Sequence, residues 1–163
     1  MQENHKVEII QANRMLQAKV GTGTIDENVV QKCQMIMENN DVDFAPMAMD
    51  YLDELGEAIK YAATADADMK QAVDSMTGPV MQLKANSKTF QYEMVGNMAN
   101  IMLSFLEAIK KLDNDVLEIV KAHHTTLVAI VTKQMKGDGG AYGVQLEKEL
   151  KDACKRYFVK RRG

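Results

Sequence analysis

Tryptophan is absent from the 163 residues, proline and cysteine occur twice each, and aromatic side chains make up only 6%. Few aromatics argue against a β-sandwich. Few prolines leave few places where a helix is forced to stop. No apolar run approaches the ~18 residues of a membrane-spanning helix, so no membrane span is expected. Neither charge sign dominates: 20 Lys and Arg against 23 Asp and Glu give a net charge of −3. That is not the balance of a general nucleic-acid binder. Cys33 and Cys154 stand far apart and outside any CxxC pair. A disulfide framework is therefore not expected, and a reducing, cytoplasmic location is. The opening Met1-Gln2-Glu3-Asn4-His5-Lys6 lacks the basic and apolar regions of a signal peptide.

What is present is helical. Hydrophobic residues reach 46%, and 13 of the residues are Met, an unbranched side chain that favours helix. Apolar positions recur at steps of three and four. Residues 3–19 read as a first helix, with a stripe from Val7 to Lys19, and Gly21-Thr22-Gly23 ends it. Thr24 and Glu27 then form a capping box for a helix to about Glu38, with Val29, Val30, Cys33, Ile36 and Met37 inward. Asp43 caps a third helix with Ala48, Leu52, Leu55 and Ile59 inward, and Pro46 is tolerated in its first turn. Ala63–Asp68 bends or continues it, and Met69, Ala72, Val73 and Met76 follow as a further stripe. Thr77-Gly78-Pro79 reads as the strongest break in the middle of the chain. Beyond it, Val80, Leu83, Phe90, Met94, Met98, Ile101, Phe105 and Leu112 predict one long helix over about 79–112, with a weak point at Asn86–Thr89. Asp113 opens a helix that Gly137–Gly140 closes, and a last helix runs from about 142 to 160. The expectation is an all-α fold: one domain over 1–163, an antiparallel bundle of five or six helices around a long central one.

Chemical motifs are scarce. His123 and His124 stand at the border of a helical apolar stripe, where an exposed imidazole would suit histidine phosphotransfer, but the Lys-Gly pair expected after such a histidine is missing. No Glu-x-x-His pair provides a di-iron site, so no metal is expected. Asp41-x-Asp43 and Asp66-x-Asp68 resemble the start of a calcium loop, yet Pro46 and Gln71 occupy the sixth position, where that loop needs Gly. They read as helix caps. The glycine-rich stretches 21–23 and 137–140 are helix stops, not phosphate loops, and no cofactor is implied.

Two features point to contact with other proteins. Residues 1–75 carry a net charge of −8 and residues 76–163 a net +5. The methionines also exceed what one buried stripe holds, and Met-rich surfaces adapt to varied partners. The expected function is that of a non-enzymatic adaptor, chaperone or signalling regulator that binds protein partners and associates as a homodimer. Its expected contact residues are Met94, Met98, Phe105, Tyr157 and Phe158 with the basic Lys155, Arg156, Lys160 and Arg161. The alternatives are a histidine phosphotransfer or phosphatase-type signalling protein using His123 or His124, and a small-ligand sensor with its molecule near Met94, Met98 and Phe105.

Overall fold

A computed structural model describes residues 15, 18, 19, 21, 23, 26–39 and 42–161. The helix expected over 3–19 and the capping role of Thr24 fall outside the described residues, apart from a few isolated positions. Among the described residues every regular element is an α-helix, as the composition predicts. The chain divides into two units, Met1–Asn39 and Asn40–Gly163.

The first unit contains α1, Glu27–Glu38. Asp26 caps it by accepting from the Asn28 N–H at 2.9 Å. Its expected inward stripe is not inward: α1 has no buried residue, and Val29, Val30, Cys33, Ile36 and Met37 are exposed. Periodicity identifies an amphipathic face but does not supply its neighbour.

The second unit contains α2 (Phe44–Ala62), α3 (Met69–Ser87), α4 (Glu93–Ala108), α5 (Asn114–Thr132) and α6 (Gly140–Lys160). Aspartates start three of them. Asp43 accepts from Ala45, Asp68 from Gln71 and Asp113 from Val116, each through a backbone N–H. Helices α2 to α5 pack in a ring, α2 on α3, α3 on α4, α4 on α5 and α5 back on α2. Helix α6 lies against both α4 and α5. The core is one cluster that includes Leu52, Leu55, Met76, Leu83, Met98, Met102, Leu106 and Leu127.

The long helix over 79–112 does not form. The break falls at Lys88–Tyr92 and not at Thr77-Gly78-Pro79, which lies inside α3. The reason is tertiary. Ala72, Met76, Val80, Leu83 and Ser87 form one uninterrupted buried stripe, so packing carries the helix through Pro79. Pro79 leaves the Ser75 carbonyl without its helical donor, but Ser75 is exposed and water can serve it. At the true break, Phe90 stacks on Phe44 at 5.2 Å and Tyr92 packs on Phe44 at 5.1 Å. The Ser87 carbonyl accepts from both Phe90 and Tyr92, and Gln91 adopts a φ of +63°. Burial of two aromatic rings against α2 outweighs continuation of the helix.

Candidate partner-binding groove

The C-terminal half of α6 is fastened before it forms a surface. Phe105 of α4 meets Tyr157 and Phe158 edge-on at 5.4 and 5.7 Å. The Arg161 guanidinium lies 4.1 Å over the Tyr157 ring and donates to its hydroxyl at 2.7 Å. Arg161 also donates to Asp113 and, at 3.4 Å, to Asp115 at the start of α5. Lys160 pairs with Asp115 at 3.2 Å, and Lys111 approaches Asp113 at 3.6 Å. Burial alone would raise the Asp113 carboxyl. The hydrogen bonds from Arg161 and Val116, with the Arg161 and Lys111 charges, outweigh burial and hold it below its ordinary value.

Beside this fastening lies a groove of about 750 Å³ between the α4–α5 turn and the end of α6. Ala108, Tyr157, Phe158 and Val159 supply its apolar lining, and Lys110, Lys111, Lys155 and Arg161 its cations. Val159 is 71% exposed. Lys110 forms no ion pair among the described residues, and Lys155 pairs only with Asp152, one turn away on its own helix. A second depression of about 440 Å³ follows α4 and α6 past Ile101, Val144, Lys148 and Lys151 and shares Lys155.

The structure sorts the expected contact residues. Phe158, Lys155 and Arg161 line the groove with the buried Tyr157, while Arg156 and Lys160 stand on the opposite flank of α6 near Asp115 and Glu118. Met94, Met98 and Phe105 are corrected to core residues, buried on α4 with no surface to offer a partner or a small ligand. Of the surplus methionines, Met47 and Met49 pack on the core, whereas Met35, Met37 and Met81 are exposed. Sequence reasoning missed Ala108, Lys110, Lys111 and Val159. The adjacent Lys110-Lys111 pair just before the Asp113 cap was the available signal, concealed by running a helix through it.

Neither histidine offers a free, exposed Nε2. His123 is fully buried, and its Nδ1–H donates to the Ile119 carbonyl at 2.9 Å. Its Nε2 is buried without a partner among the described residues. His124 is half-buried, and its Nε2–H donates to the Leu52 carbonyl of α2 at 2.9 Å. A phosphoryl acceptor needs an accessible ring nitrogen beside stabilising cations; His123 has no access, and Nε2 of His124 is occupied. The His124 imidazole ties α5 to α2, and His123 bonds within its own helix.

Burial lowers the pKa of His123 from 6.5, against a smaller upward effect of the Ile119 hydrogen bond. The unfolded chain therefore binds this proton more readily than the folded one. Stability from neutral His123 is complete above about pH 6.5 and declines as the pH falls through and below it. The urea midpoint is expected to drop between about pH 7.5 and about pH 5.5, and His123→Leu to flatten most of that drop. An identical slope in the variant would assign the drop to other groups.

Among the described residues, no group of three or more His, Cys, Asp or Glu is placed to hold a metal ion. Both cysteines are free; burial pushes the Cys154 thiol up to about 11, so it is protonated and inert at neutral pH. No helix among the described residues is long and apolar enough to cross a membrane. Fold and site together define an all-α helical bundle with a cationic, apolar-lined groove at one end. No family model, curated protein or solved structure matches the chain.

Proposed function

We propose that this chain is a non-enzymatic helical-bundle protein, an adaptor or regulator in the cytoplasm, that works by holding an acidic amphipathic helix of a protein partner in the groove at the end of α6. The groove carries this reading: apolar side chains for the partner's hydrophobic stripe lie beside four cations that select and steer an acidic one. The fastening of Arg161 and Lys160 to α5 supports it, because a surface held rigid before binding loses less entropy on binding. The two free thiols agree with a reducing compartment.

The test is fluorescence anisotropy of the full-length protein with a labelled, designed helical peptide bearing a leucine stripe flanked by glutamates. Saturable binding that weakens with added salt is expected. The exposed double substitution Lys110→Glu/Lys155→Glu is expected to weaken it by about tenfold or more without changing the far-UV spectrum. Absence of binding, or binding indifferent to both lysines, would remove the groove from consideration.

A further inference from the structure

Helix α1 presents the complementary surface. Its stripe of Val29, Val30, Cys33, Ile36 and Met37 is exposed along the helix, Ile36 to 73%. A twelve-residue helix is about 18 Å long and only marginally stable alone in water. Such a stripe gains its stability when another apolar surface covers it. The segment 26–43 is acidic, with Asp26, Glu27, Glu38, Asp41 and Asp43 against Lys32 alone. The last turn of α1 has no base to offset the negative end of the helix dipole.

Resting on the reading of the α6 groove as a protein-binding surface, we infer that its occupant is α1 of a second copy of this chain, with its apolar stripe turned toward Phe158 and Val159. The complementarity is one of net charge. By helical spacing Glu27 and Glu38 stand off the stripe, so they steer the approach toward Lys110 and Lys155 and leave the contact itself apolar. Pairing α1 with another α1 would instead bring acidic segments together. The groove's volume of about 750 Å³ admits several aliphatic side chains. Reciprocal exchange, each copy giving one α1 and receiving one, closes a symmetric dimer without leaving an open end.

Light scattering of the full-length protein over a concentration series is expected to show a monomer–dimer equilibrium. Ile36→Asp alters an exposed residue and is expected to leave a folded monomer at all concentrations, as is Lys110→Glu/Lys155→Glu. Geometry is tested by cross-linking. Unlabelled and nitrogen-15-labelled Val159→Cys chains are mixed and treated with a short bismaleimide, and the linkage between Cys33 and position 159 is read by mass spectrometry. About half of the linked pairs are expected to join a light chain to a heavy one. A monomer throughout, a dimer indifferent to Ile36→Asp, or linkage confined to chains of one label would overturn this inference. If the designed acidic peptide still binds in those cases, the groove reading stands and only its occupant falls; if the peptide also fails, both fall.

Discussion

Gly143→Ala is expected to lower the stability of the bundle by about 2–4 kcal/mol, measured as a fall in the urea midpoint with little change in slope. Gly143 is buried in the first turn of α6, where a Cβ would run into the carbonyl oxygen of Asp138 and come within 3.2 Å of the Met94 sulfur. The methionine can yield, but the carbonyl belongs to a backbone already committed. Gly137 and Gly139 adopt φ of +77° and +72°, and the Gly143 N–H donates to the Gly139 carbonyl at 3.0 Å. The methyl group would therefore displace the whole entry to α6. Gly78→Ala is the internal comparison. Gly78 lies inside α3 with open space around it, so alanine there is expected to stabilise by about 0.5–1 kcal/mol. Equal effects at the two positions would show that α6 does not enter the bundle as closely as described.

Phe105→Ala is expected to cost about 3–5 kcal/mol, the range for removing a large buried ring. Phe105 is 2% exposed and is the common contact of Tyr157 and Phe158, so its loss leaves a cavity beneath the end of α6. A second consequence sets it apart from an ordinary core truncation. Phe158 lines the groove, and Tyr157 carries the Arg161 guanidinium, so affinity for an acidic helix should fall in protein that is still folded. Val159→Ala, also in the groove but exposed, is expected to change stability by less than about 0.5 kcal/mol while still weakening binding. Urea unfolding and anisotropy on both variants separate support from contact.

The elements that the sequence made legible are those whose signals are local. Asp43 and Asp113 cap the helices they were expected to cap, and the stripe of Ala48, Leu52, Leu55 and Ile59 is buried as its spacing implied. What escaped depended on partners distant in sequence. Thr77-Gly78-Pro79 has every local mark of a break, yet packing on α2 and α4 carries α3 through it. Lys88–Tyr92 has weaker marks and breaks because Phe44, far upstream, receives its aromatic rings. The groove was half legible. Tyr157, Phe158, Lys155 and Arg161 were singled out as an aromatic-basic cluster, but the role of Arg161 as a fastening to Asp113 required the start of α5 to be placed beside it. Burial reverses the reading of His123, because an imidazole at the border of a stripe is exposed or enclosed according to the neighbouring helix.

Helix α4 has no side chain at its N-terminus to receive its first amides. The backbone of Gly137 stands in: its carbonyl accepts from the Met94 N–H at 3.1 Å, and its N–H donates to the Gln91 carbonyl at 2.6 Å. The start of α4 is thus completed by the link that leads from α5 to α6. A chain ended after α5 would lose more than its outermost helix. It would also strip an inner helix of its cap, so the ring of four cannot be treated as a self-sufficient core with a fifth helix added.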